Sequence, residues 1–496
     1  MNAPSSKSKF LPAFVTTSLI VIVLLVIYSL SGKPLSIEVW HQDKLSEEFS
    51  ADRLGKDINS FADYRRLEER LFRELEEDIY SRTSTGPDQL LNRFSKGSMA
   101  DPTRREPNWN RSFELNSDGA SGAVLLLHGM SDSPYSLRAL GEQLALLNYR
   151  VLGLRIPGHG TAPSGLKYVV WQDMAAAVTL AARHLYSPSG SGALHIIGYS
   201  NGASLALDYS LRALADNTLP EPSSLVLISP SIRVHPAAGL ARFKNALAVV
   251  PGLGGWAWLD VMDEFDPYKY NSFATNAGAQ VHAITTNVNR RIQQHAGNPA
   301  ASGDLPPMLV LNSTVDATVT TDAVVNSLLK RLPAGRNELV LFDINRDAVV
   351  QSTLMVSDPG PLTRRLMADE NLPFAVTIVS NKELDSTDVV ARYRPSQAKD
   401  VAAVTPLGMT WPAGVISLSH VAMPFPPDDP LYGQSDPGDS DAVFLGNLAI
   451  KGERGLLKLP ADWLLRLRHN PFYDYLETRV VDWLEQNGDR NQASFR

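Results

Sequence analysis

From about residue 112 onward, short runs of uninterrupted apolar residues alternate with stretches of helical periodicity. A strand with one wet face alternates apolar and polar residues, whereas a strand apolar throughout must be covered on both faces. Strands are read at 112–115, 124–127, 151–155, 194–198, 225–229, 308–312 and 338–342, with helices at 136–147, 171–185, 201–214 and 322–332. Strand–helix–strand succession implies crossover connections, so the expected fold class is α/β: a mostly parallel central sheet with helices on both faces. Two stretches break the rhythm. Residues 231–306 show no clear sheet strand, and 345–413 hold one strand-like run, Phe374 to Ser380. Both read as insertions on the core.

Before residue 112 the texture differs. Phe10 to Leu30 carries no charge and is almost wholly apolar (FLPAFVTTSLIVIVLLVIYSL). A helix of roughly 20 such residues can cross a bilayer. A cleaved leader has a shorter apolar region ending in small residues, so an uncleaved anchor over residues 1–32 is preferred. Lysines balance across the stretch (Lys7 and Lys9 before, Lys33 and Lys44 after), and the free amino terminus tips the orientation toward N-terminus inside. The remaining chain is then expected in the periplasm or outside. An amphipathic helix over 45–82 and a Pro- and Arg-rich linker over 95–111 fill residues 33–110, ahead of the sheet-bearing domain over 111–496. The chain has 496 residues, 44% hydrophobic and 20% charged, with net charge -7. No basic footprint for nucleic acid stands out. The absence of cysteine excludes disulfides, thiolate metal sites and a cysteine nucleophile.

Gly198-Tyr199-Ser200-Asn201-Gly202 follows a strand and opens a helix, the setting a nucleophile elbow requires. A serine on that tight turn presents its hydroxyl at the sheet edge, beside the positive end of the helix. Leu127-His128-Gly129-Met130-Ser131 follows another strand. Acyl transfer needs amide donors aimed at the developing oxyanion. The N–H groups of Asn201 and Met130 are placed to supply them. His128 precedes the elbow and reads as structural.

With HGMSDSPYSLRAL, LRIPGHGTAPSGL at 154–166 and GYSNG, the chain from about 110 to its end resembles the α/β-hydrolase superfamily, in its monoglyceride lipase and carboxylesterase branch. That resemblance implies a Ser…Asp…His order, no cofactor, and a cap after the strand that follows the elbow, where 231–306 lies. It also makes His159 structural. Asp316, straight after strand 308–312, resembles the family's triad acid; capping the next helix is the plainer role, and Asp343 is the second choice. Of ten histidines only His420 and His469 follow Asp316. His420 ends a strand-like run and enters a Pro-rich loop, as a loop-borne base should; His469 reads as a surface residue near a terminal helix.

One departure from the family stands out. The histidine normally comes one strand after the acid, yet here residues 317–419 intervene and strand 338–342 leads to no histidine. Either the insertion leaves and returns to the same edge, or 415–419 takes that strand's place. An insertion reaching the rim would shape substrate access. No metal set is evident: Asp428-Asp429 reads as ordering its loop. Trp256 and Trp258 read as cap core, with an acyl chain or membrane as alternative contacts. The expected activity is hydrolysis of small-molecule or lipid carboxylic esters through Ser200, Asp316 and His420, with Met130 and Asn201 as oxyanion donors. A lysophospholipase, thioesterase, acyltransferase or peptidase would use the same residues. A catalytically silent, membrane-tethered binding module is the alternative from another class.

Overall fold

The computed structural model describes residues 36–115, 119–186, 192–233, 254–297, 304–316, 318–350, 358–438, 442–446 and 467–494. The anchor expected over residues 1–32 lies outside them. Among the described residues no helix is long and apolar enough to cross a membrane.

The strands are β1 (Phe113–Leu115), β2 (Gly122–Leu127), β3 (Tyr149–Leu154), β4 (Ala193–Tyr199), β5 (Ser224–Ile228), β6 (Trp258–Asp260), β7 (Phe273–Ala274), β8 (Met308–Ser313), β9 (Glu338–Phe342), β10 (Ala375–Asn381), β11 (Asp388–Arg394) and β12 (Ala403–Thr410). Among the described residues, one sheet runs in the order β1-β3-β2-β4-β5-β8-β9-β10-β11-β12. From β3 through β10 neighbouring strands are parallel. The edges are antiparallel: β1 on β3, and the β10–β11–β12 meander. Strands β6 and β7 pair apart from the sheet. The seven strands read from the sequence all form; six are buried nearly throughout, and β1 is an edge strand with Glu114 and Leu115 half-buried.

The longer helices are α1 (Phe61–Asp78), α2 (Arg138–Leu146), α3 (Trp171–Leu185), α4 (Asn201–Ala213), α5 (Thr275–Gly297), α6 (Gly360–Ala368) and α7 (Tyr473–Ser494). Side chains alternate across each strand with period two. Leu125, Leu127, Ile196, Leu225, Leu227 and Val310 therefore face one way, onto α3, α4, α5 and the start of α1. Val124, Leu126, Ile197, Val226, Ile228 and Leu311 face the other way, onto α2 and α7.

Four elements differ from expectation. The helix read over 45–82 begins only at Phe61. Ser60 Oγ accepts the Asp63 N–H and Asp63 Oδ2 accepts the Ser60 N–H, a capping box that fixes the start there. Residues 322–332 coil irregularly: Val324–Leu328 form a wide turn and Leu329–Arg331 a tight one. In the stretch read as a cap, Ile284, Val288 and Ile292 of α5 enter the main core, so that helix is a crossover from β5 to β8. The 345–413 insertion contributes three sheet strands where one was read. Strand β12 carries Pro406 and Gly408, which an edge strand tolerates.

After β12 the chain turns back over the C-terminal end of the sheet. Asn345, just past β9, donates its N–H to Ile416 O at 2.7 Å and its Nδ2 to Val415 O at 3.0 Å. Ser313, the last residue of β8, donates its hydroxyl to Leu418 O at 3.0 Å. The insertion thus leaves β9 and returns to the end of β9. Residues 415–419 form no strand.

Candidate active site

Ser200 lies between β4 and α4 with φ 54° and ψ -115°. A non-glycine residue there is strained by roughly 1–3 kcal/mol, which persists only if its surroundings enforce it. Here they do: Ser200 N–H donates to Ile228 O, while Ser200 O accepts from Ser231 N–H and Ala203 N–H. The two flanking glycines are needed for space. A Cβ on Gly198 would stand 2.5 Å from the Ala203 backbone, and one on Gly202 would overlap the Leu127 carbonyl.

Three loops meet at this elbow. His420 Nε2 is 3.1 Å from Ser200 Oγ, and His420 Nδ1 is 2.7 Å from Asp316 Oδ2. A carboxylate only accepts, so the Nδ1 proton faces Asp316 and Nε2 is left to accept from the serine hydroxyl. The Asp316 side chain is fully buried. Its other oxygen accepts the N–H groups of Thr318 and Val319, at 2.9 and 3.0 Å, which aims the carboxyl at the imidazole. The carboxylate thus orders its own loop and pairs with His420; the plainer role of capping the next helix is not seen, since that helix starts at Thr321 with Thr320 as its N-cap.

Asp343, the second-choice acid, does not reach His420; it is bound by Arg346, with both oxygens 3.0 Å from the guanidinium. His469 is buried rather than at the surface and precedes α7; burial lowers its pKa, and it does not join the cluster.

The loop after β2 borders Ser200: a Cβ on Gly129 would fall 3.3 Å from Ser200 Cβ. His128 Nε2 accepts Ile156 N–H at 3.1 Å, so its Nδ1–H donates to Gly129 O at 2.9 Å. Burial holds this imidazole neutral, well below the usual histidine range. Tyr270 N–H donates to Ser131 O, and Lys269 pairs with Asp132 at 3.0 Å, so the segment ahead of β7 clips the far side of the loop. Among the described residues, the N–H groups of Met130 and Asn201 have no hydrogen-bond acceptor within the protein. His159 donates within its own turn, to Pro157 O at 3.0 Å, and burial pushes its pKa down to about 4.

Several supporting residues escaped the sequence reading. Tyr199 hydroxyl donates to His420 O at 3.2 Å, and its ring lies 5.4 Å from the imidazole. Tyr199 occupies a variable position of the elbow motif, so no pattern marks it. Arg155, at the end of β3, is wholly buried between Glu48 and Glu68, each at 3.0 Å, and also donates to His159 O. Asp429 does order its loop, accepting N–H bonds from Leu431 and Tyr432 and a hydroxyl bond from Tyr135. Trp258 is buried beside Leu166, Tyr270 and Ala277, and Trp256 is half-buried. Among the described residues no group of three or more His, Asp or Glu is arranged to hold a metal ion.

The family Hydrolase_4, described as serine aminopeptidase, S33, matches residues 118–344, just under half of the chain. Among solved structures, a metagenome-derived lipolytic enzyme (of the pair LipS and LipT) is 20% identical, covering 47% of this chain and 87% of its own, with TM-score 0.38. A soluble variant of monoglyceride lipase from Saccharomyces cerevisiae, with a substrate analogue, is 17% identical over 47% and 82%, with TM-score 0.37. The monoacylglycerol lipase of Paleococcus ferrophilus is 16% identical over 47% and 88%, with TM-score 0.36. No curated protein matches significantly in sequence. The family match, with the sheet order and elbow described above, supports an α/β hydrolase.

Proposed function

We propose that this chain is a serine hydrolase of carboxylic esters that works through an acyl-enzyme on Ser200. The observation that carries the reading is the hydrogen-bonded series Ser200–His420–Asp316, built from residues far apart in the chain. His420 takes the proton of Ser200 as its oxygen attacks the ester carbonyl. The imidazolium that forms is stabilised by Asp316, which keeps its own charge. The N–H groups of Met130 and Asn201 hold the oxyanion. His420 then protonates the leaving alcohol, and water repeats the sequence on the acyl-enzyme. No cofactor enters this scheme.

A peptidase reading is favoured by the description of the matched family, and it differs in the leaving group, an amine in place of an alcohol. Hydrolysis of p-nitrophenyl esters of graded acyl length, set against aminoacyl p-nitroanilides, separates the two. The ester reading expects turnover of esters, abolished in Ser200→Ala; turnover of anilides alone would overturn it.

The apolar stretch Phe10 to Leu30, outside the described residues, is proposed as a membrane anchor with the catalytic part on the periplasmic or outer side. Full-length chain should stay with membranes in alkaline carbonate. Its release there would contradict the anchor.

A further inference from the structure

We propose that Ser231 is a second hydroxyl of the reaction centre, donating a hydrogen bond to Ser200 Oγ and stabilising that oxygen during attack. This rests on Ser200 being the nucleophile.

The backbone of Ser231 is fixed by the elbow itself. Its N–H donates to Ser200 O at 3.1 Å, and its carbonyl accepts Ser204 Oγ at 2.5 Å. Upstream, Ser229 takes φ 44° and donates its N–H to Leu311 O, so the turn after β5 is pinned to β8 as well. These bonds use only the main chain of Ser231. The side chain contributes nothing to them and is free for another role.

That side chain is 4% exposed, and its Oγ lies 3.4 Å from Ser200 Oγ. Among the described residues the Ser231 hydroxyl has no other hydrogen-bond partner. A buried hydroxyl without a partner is costly, so its proton points to Ser200 Oγ, the one acceptor in reach among the described residues. The direction follows from the triad. Asp316 takes the Nδ1 proton of His420, Nε2 takes the proton of Ser200, and Ser200 Oγ keeps lone pairs to accept with. Ser231 is therefore the donor.

At 3.4 Å this bond is long and weak in the free protein. As the proton moves to His420, Ser200 Oγ gains negative charge, and a hydrogen bond to a charged acceptor is shorter and about twice as strong. The gain belongs to the attack, not to binding, so it raises kcat and leaves KM alone.

The test is the second-order rate at which a small sulfonyl fluoride inactivates the full-length chain, with kcat and KM on p-nitrophenyl acetate. Ser231→Ala should be inactivated about tenfold more slowly, the scale of one modest hydrogen bond lost from a rate-determining step. Its kcat should fall by the same factor at unchanged KM. Ser231→Cys, a poor donor of similar size, should move the same way, and Ser231→Thr, which keeps the hydroxyl, should recover most of the rate. Wild-type rates in Ser231→Ala, or Ser231→Thr as slow as Ser231→Ala, would overturn the proposal while leaving Ser200 as nucleophile. A wild-type chain that the reagent does not modify would overturn both.

Discussion

Ser200, Asp316 and His420 were legible because each is tied to a local pattern: an elbow motif, an acid straight after a strand, a histidine ahead of a Pro-rich loop. Choosing between two carboxylates was harder, since Asp316 and Asp343 both follow buried strands. Their partners separate them. Asp316 has one oxygen on main-chain N–H groups and the other on His420, whereas Asp343 is held by Arg346. Asp316→Asn should therefore lower kcat by about four orders of magnitude, because an amide stabilises the wrong imidazole tautomer. Asp343→Asn should leave kcat near wild type and lower Tm instead. Steady-state kinetics and thermal melts of the two variants check this, and the reverse ranking would reassign the acid. Tyr199 and Ser231 were not legible, for a physical reason: they act through one hydrogen bond each, and no spacing rule announces which exposed or buried hydroxyl will meet a partner far along the chain.

At the scale of elements, strands apolar throughout were the easiest to read, and strands β11 and β12 the hardest. Strand β11 (DVVARYR) and strand β12 (AVTPLGMT) are partly exposed and carry charges, a proline and a glycine, so neither gives a buried or alternating pattern. Their consequence for the site is large. The meander β10–β12 separates Asp316 from His420 in sequence, yet the return segment is clamped to Ser313 of β8 and Asn345 past β9, which brings His420 back to the end of the sheet. Asn345 is central to that clamp, joining Val415 O, Ile416 O and Asn381 Nδ2. Replacing it by alanine removes the side-chain bonds to Val415 O and Asn381 Nδ2, at about 0.5–1.5 kcal/mol for each, while Asn381 Nδ2 keeps Ser386 O at 2.7 Å. Asn345→Ala should lower Tm and reduce kcat with little change in KM, because His420 is displaced while the acyl-binding surface is not. Unchanged kcat would show that the clamp does not position the base. Among the described residues the strands of the meander supply no hydrogen bond to Ser200 or to the His420 side chain.

Across the whole molecule, residues 36–110 are bound into the body by groups the sequence could not pair in advance. Arg155 joins Glu48 and Glu68, Arg93 donates to Asp266 O and Lys269 O, and His41 Nε2 lies 2.9 Å from Ser272 Oγ. Long-range pairs of this kind depend on the fold, so a stretch that reads as helix and linker shows nothing of them. The same packing sets a pH dependence. Burial lowers His41, His159 and His195 to about 4 from the ordinary 6.5. Between those values the unfolded chain binds protons that the folded chain refuses, so stability present above pH 6.5 is lost as pH falls toward 4. Glu264 opposes part of this, because burial raises it to about 7 and its proton favours the folded state between 4.5 and 7. Burial raises Asp173, Asp266 and Glu477 as well and lowers His128 and His469, so five histidines outweigh four carboxyls and Tm should fall from pH 6.5 to 4. A Tm that rises over this range would contradict the account.

All three scales converge on one oxygen, and covalent labelling tests it most directly. Full-length chain treated with a fluorophosphonate should gain a single adduct by intact mass, mapped to Ser200 by peptide analysis and absent in Ser200→Ala. An unmodified wild-type chain, or an adduct on any other residue, would show that Ser200 is not the nucleophile.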